Sequence, residues 1–235
     1  MSLTLPLPAR WLLSALLTLP FAAPAGAESP RVMLETTLGD FVIEVDPERA
    51  PLTCANFLQY VKDGFYNGTI VHRVENNFVL QGGGYDVNYK AKTTRPAVSN
   101  ESGNGLSNTR FSVGLARAGN PHSGTSQFYV NISDNEVLNP NPARWGYAVF
   151  GKVVEGLEVI DRIGQQPTGD AGTFKGTAPV TQIVIRRAFV LPSVSAPATP
   201  ATAPATAPAT ATPATPATPV TPAVVAPAES APPKL

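Results

Sequence analysis

Thiols and imidazoles are almost missing from this chain of 235 residues, which has one cysteine, Cys54, and two histidines, His72 and His122. A single cysteine excludes an internal disulfide framework and a thiolate-rich metal site. The two histidines lie far apart with no ligand spacing between them, so neither a structural nor a catalytic metal is expected. An excess of charge is also lacking: Lys+Arg and Asp+Glu each number 17, and no basic stripe with interleaved aromatics occurs. Nucleic acid is therefore a poor candidate partner. The N-terminal apolar run, Trp11 to Phe21, is interrupted by Pro20 and too short to span a bilayer comfortably.

The same N-terminal run makes sense as a secretory signal. Arg10 precedes it, and Ala25-Gly26-Ala27 offers a small-residue cleavage site before Glu28. Residues 1–27 are thus expected to be a signal peptide, with the mature protein exported to the periplasm or secreted and not inserted in a membrane after cleavage. The competing reading is an uncleaved N-terminal anchor. At the other end, residues 191–235 are Pro-Ala-Thr repeats that hold about half of the chain's 25 prolines. With few large apolar groups to bury, this tail is expected to be extended and disordered, a passive spacer. Some 160 residues remain between the two ends, over 28–190, enough for one domain with a complete core.

Within that domain, Arg31 to Val45 alternates apolar and polar residues around Leu38-Gly39-Asp40, a hairpin pattern. Pro51, the apolar spacing through Val61 and a stop at Gly64 mark a helix. Cys54 shares the apolar face of that helix with Phe57, Leu58 and Val61, where a thiol acts as a small, inert hydrophobe. Short β-rich segments follow at Thr69 to Val74, Phe78 to Gln81, Phe111 to Arg117, Gln127 to Ile132 and Tyr147 to Val154. A second helix is expected from Gly156 to Ile163, ending at Gly164, and Gln182 to Val190 supplies a closing strand. The fold class is mainly β, and composition leaves an antiparallel sandwich and a closed barrel both open.

The chemistry concentrates between Val71 and Gly84. Alternation places Arg73 on one strand face with Val71 and His72 on the other, where a packed, hydrogen-bonded imidazole is the simplest reading. A guanidinium beside apolar groups is costly unless it is paired or used. Phe78 and Gln81 add an aromatic surface and a neutral hydrogen-bonding group, and the glycines Gly82-Gly83-Gly84 permit a close backbone approach. With no reactive thiol or metal cluster nearby, such a site binds and polarises a neutral group and needs no nucleophile.

His72-Arg73 followed by Phe78 and Gln81-Gly82-Gly83 resembles the signature of the cyclophilin-type peptidyl-prolyl isomerases. Asn104 to Thr109, Gly124 to Tyr129 and Tyr147 to Val154 extend the resemblance in the same order over roughly residues 31 to 190. It implies a closed eight-stranded antiparallel β-barrel capped by two α-helices, and rotation about X-Pro bonds without covalent intermediate or cofactor. The implied catalytic residues are Arg73, Phe78 and Gln81; the implied substrate-binding residues are Val79, Ala116, Arg117, Gln127, Tyr129, Val137, Leu138 and Tyr147. Partners would be proline-containing unfolded or flexible polypeptides, met by a monomer. Many family members carry Met at the place of Val79, Asn at Arg117, Phe at Tyr129, Trp at Val137 and His at Tyr147. The missing indole at Val137 implies weak cyclosporin binding. Rival readings are a proline-binding chaperone without turnover and an envelope protein that only displays its tail; the arginine argues against both.

Overall fold

The computed structural model describes residues 28–192. The signal peptide expected over 1–27, and the tail beyond its first two residues, lie outside the described residues. The elements in chain order are β1 (Arg31–Thr36), β2 (Gly39–Val45), α1 (Pro51–Lys62), β3 (Thr69–Glu75), β4 (Val79–Asp86), β5 (Ser112–Leu115), β6 (Phe128–Asn131), β7 (Val149–Glu155), α2 (Leu157–Gly164), β8 (Thr168–Ala171), β9 (Phe174–Pro179) and β10 (Ile183–Val190). A single 3-10 turn, Glu136–Leu138, lies between β6 and β7. Eight antiparallel strands close a barrel in the order β1-β10-β3-β4-β6-β5-β7-β2, with β2 returning to β1. Closure decides between the two architectures that the sequence pattern left open, and it leaves the barrel without free edges.

Both helices feed the same core. Helix α1 has no side-chain cap of its own, and Glu101 supplies one from a distant loop. Its carboxylate accepts the backbone N–H of Leu52 at 3.0 Å and of Thr53 at 2.8 Å, and the Thr53 hydroxyl at 2.7 Å. These are N–H groups that a first helical turn otherwise leaves unbonded, and the negative charge suits the helix N-terminus. From α1, Cys54, Phe57, Tyr60 and Val61 point into the barrel. The Phe57 ring meets those of Tyr66, Phe128 and Phe150 at 5.4, 5.8 and 5.1 Å. Burial of such a side chain contributes about 1.5–3 kcal/mol. The Cys54 thiol contacts the Phe150 carbonyl at 3.3 Å, and burial pushes its pKa up to about 12, so it carries no thiolate at neutral pH. Helix α2 adds Val159, Ile160 and Ile163 to the core.

Two features depart from the sequence pattern. The ribbon of β8 and β9 was not expected; its residues are mostly small and few are fully buried, so they carry little periodic hydrophobic signal. The register of β3 against β4 also shifts between Val71 and Arg73. The bulge breaks strict alternation, and Val71 and Val74, three residues apart, both enter the core. Arg73 therefore does not share the inward face of Val71. His72 leaves the core too and packs against Tyr85 and Phe174, each with ring centroids 4.7 Å away. Its Nδ1 has no hydrogen-bond partner. Burial, with a smaller contribution from the neighbouring Arg73 charge, lowers its pKa to about 4.

Candidate active site

Beyond the bulge, two adjacent rows cross four strands and face opposite ways. Val74, Leu80, Val130 and Val113 are cross-strand neighbours on β3, β4, β6 and β5, and all four lie in the core. The neighbouring row is Arg73, Gln81, Tyr129 and Gly114, in the same strand order. Because side chains alternate along each strand, burial of the first row turns the second outward. The candidate site is this outer row and what covers it.

Arg73 is half-buried and held on two edges. Its Nε and Nη2 donate to one oxygen of Glu75 at 3.0 and 2.6 Å, and its Nη1 donates to Gln81 Oε1 at 2.9 Å. The Gln81 amide donates in turn to Gln127 Oε1 at 2.8 Å. That last bond requires the Gln127 side chain to lie across β4 at Gly84, where a Cβ atom would come within 2.5 Å of it. Glycine is needed there for the close approach.

Phe78 follows the polar turn that ends β3, where Asn77 takes a positive φ of 57°. Its N–H donates to the Glu75 carbonyl at 3.0 Å, and its carbonyl accepts Ile132 N and Asn135 Nδ2, both at 2.9 Å. The Arg73 guanidinium lies 5.9 Å from the Phe78 ring centre. Tyr129 is buried, and its ring fills the space opposite Gly114, where a Cβ would fall 2.2 Å from it. The Tyr129 hydroxyl donates to Asn108 Oδ1 at 2.6 Å, and burial raises its pKa far above the ordinary phenol value. Asn108 also accepts from Asn131 and donates to Asn139, a network that ties the motif at Asn104 to Thr109 to the back of the site.

Arg73, Phe78, Val79, Gln81, Ala116, Arg117, Tyr129, Leu138 and Tyr147 enclose a cavity of about 170 Å³. Pockets for drug-sized ligands measure roughly 300–1,000 Å³, so this one suits a single side chain of a polypeptide. A larger depression of about 680 Å³ lies between the ends of the described chain, at Pro30 and Pro192, away from this row. Arg117 stacks on the Tyr147 ring at 4.4 Å and donates to the carbonyls of Ala118, Trp145 and Gly146. It ties the loop before β7 to the edge of the pocket. Among the described residues no group of three His, Cys, Asp or Glu side chains is arranged to hold a metal ion.

Two expected residues adjoin this lining without forming part of it. Gln127 is not in the cavity lining and meets it through its bond with Gln81. Val137 sits on the 3-10 turn beside Leu138, with 65% of its surface exposed and outside the lining of this cavity. A three-residue turn cannot direct consecutive side chains the same way, and Leu138 takes the inward place. Reading the sequence missed Glu75 and Asn135. Glu75 had a usable signal, since it stands two residues from Arg73 on one strand.

An aromatic-floored pocket with a fixed guanidinium and no nucleophile, on the outside of a closed antiparallel barrel with two helices, defines a cyclophilin-like protein. Residues 31–190 match the family described as cyclophilin type peptidyl-prolyl cis-trans isomerase/CLD, and the chain belongs to that family. It is a peptidyl-prolyl cis-trans isomerase. A peptidyl-prolyl cis-trans isomerase of Acinetobacter baylyi is 49% identical over 141 residues, 60% of this chain and 75% of the relative. Peptidyl-prolyl cis-trans isomerase A of Dickeya dadantii is 44% identical over 167 residues, 71% and 87% of the two chains. The crystal structure of a cyclophilin-type isomerase of Cryptosporidium parvum, in the presence of the dipeptide Ala-Pro, has a TM-score of 0.57 at 25% identity, covering 69% of this chain and 99% of that one.

Proposed function

We propose that the protein isomerises X-Pro bonds of exported polypeptides, with the proline ring seated on Phe78 and Arg73 acting on the prolyl nitrogen. The observation that carries this reading is the guanidinium held beside the pocket by Glu75 and Gln81. Amide resonance opposes rotation with a barrier of about 18–20 kcal/mol. Twisting the bond frees the nitrogen lone pair, which then accepts a hydrogen bond that neither planar isomer can accept. A donor placed there binds the twisted form more tightly than substrate or product, which is what lowers the barrier. Each 1.4 kcal/mol or so of that preference is tenfold in rate.

Arginine suits the task because it remains charged and its fork is stiff. Of its five N–H donors, three are used by Glu75 and Gln81, so one on Nη1 and one on Nη2 remain for substrate. Val79, Leu138 and Tyr147 give the proline ring apolar walls, and Ala116 and Arg117 lie where a polypeptide backbone would pass. The apolar segment and small-residue site before Glu28 support export, and folding of exported proteins is the role that follows. The protein acts as a monomer, without nucleic acid.

A protease-coupled assay of X-Pro isomerisation, run with purified protein and its Arg73→Ala variant, tests the site. Near-wild-type turnover by a folded variant would sink it. Cell fractionation with N-terminal sequencing tests export: a mature chain starting at Glu28 outside the cytoplasm is expected, and an intact cytoplasmic chain would reject it.

A further inference from the structure

We infer that Glu75 is a positioning residue of this site: its carboxylate clamps the Nε/Nη2 edge of Arg73 and fixes where the two remaining donors point. The inference rests on Arg73 being the donor to the prolyl nitrogen. Glu75 is the next outward residue on β3 after Arg73, with Val74 turned into the core between them. One oxygen, Oε1, accepts both Nε at 3.0 Å and Nη2 at 2.6 Å. Gln81 restrains the opposite nitrogen, Nη1, at 2.9 Å. A planar guanidinium held at both sides can neither rotate about its long axis nor swing along the groove. The unused N–H groups on Nη1 and Nη2 are thereby left to face substrate.

Glu75 also connects the donor to the pocket floor. Its backbone carbonyl accepts the Phe78 N–H at 3.0 Å while its side chain holds Arg73. One residue thus fixes the relative position of the guanidinium and the ring, and proper placement of reacting groups is worth large factors in rate. Glu75 does not line the cavity, and 39% of its side chain is exposed, so it acts through Arg73 and does not itself touch substrate. It stands far enough out in solvent for the pair to add little to fold stability.

The test uses the purified full chain, a short X-Pro peptide substrate and four proteins: wild type, Glu75→Ala, Glu75→Gln and Arg73→Ala. Loss of the clamp should lower kcat of Glu75→Ala roughly five- to tenfold, with KM changed less than about twofold, because ordering of the donor matters in the twisted state. Glu75→Gln keeps an amide oxygen that accepts the same bonds and should restore at least half of wild-type kcat. The Arg73 Nε–H signal in the nitrogen-proton NMR spectrum should be sharp in wild type and in Glu75→Gln and lost to exchange in Glu75→Ala. Unchanged kcat in Glu75→Ala, a loss confined to KM, or equal losses in the Ala and Gln variants would each overturn the inference. If Arg73→Ala is inactive while Glu75→Ala is normal, only the role of Glu75 falls. If Arg73→Ala retains turnover, the reading of the site falls with it. Should Glu75→Ala fail to fold, Glu75→Ser reports on the same lost acceptor, and wild-type kcat in that variant overturns the clamp.

Discussion

His72 and Arg73 are consecutive residues on one strand, and the protein treats them in opposite ways. The histidine is packed between Tyr85 and Phe174 beneath the β8–β9 ribbon, with an unpaired Nδ1 and a pKa lowered to about 4. The arginine is half-buried and has hydrogen-bond acceptors on two of its edges. Burial neutralises a group that can lose its proton; a group that cannot must be paired or left in water. The bulge at this point permits both outcomes, since without it one of the two would have to face the core.

The contrast is broken most directly at Arg73. Arg73→Ala should lower kcat on the order of a hundredfold or more, the usual cost of removing a fixed donor from a developing charge, with little change in melting temperature. Isomerisation assays alongside thermal unfolding measure both. The histidine side is read through stability. The folded pKa of His72, about 4, lies below its ordinary 6.5, so the unfolded chain takes up the proton first. Stability contributed by the neutral imidazole is therefore complete above about pH 6.5 and is lost as pH falls toward 4, by roughly 3 kcal/mol at most. Urea unfolding at pH 7 and pH 4.5 should show that slope, and His72→Phe should flatten it; an unchanged slope would mean His72 titrates normally.

Smaller effects sharpen the comparison at the back and rim of the site. Asn108→Ala leaves the buried Tyr129 hydroxyl without its acceptor and should cost about 1–3 kcal/mol. Adding Tyr129→Phe to that variant should recover part of the loss, since the orphaned hydroxyl goes with it, and unfolding of the double variant checks this. At the rim, Leu138→Ala should lower kcat/KM severalfold, whereas Val137→Ala, which removes a mostly exposed side chain off the cavity wall, should change it less than about twofold. A large effect at Val137 would place it on the substrate path.

Local pattern carried much of the fold. Period-two alternation marks the β1–β2 hairpin, β-rich composition around a polar turn marks the strands on either side of Phe78, and Pro51 and Gly64 bracket α1. The spacing of Arg73, Phe78 and Gln81 was also legible, because a hairpin brings Arg73 opposite Gln81 through short-range pairing alone. What only the tertiary structure decided involves strands distant in sequence. Barrel closure pairs β1 with β10 and β4 with β6, and those pairings depend on burying a shared interior that no single segment contains. The bulge that turns Arg73 outward arises from the register of β3 on β4, not from composition. The ribbon over His72 is held by its Phe174, which packs on His72 and Tyr85, so its other residues have no need of alternation. Side-chain identity determined which groups could do chemistry here; pairing between remote strands decided which of them face the substrate.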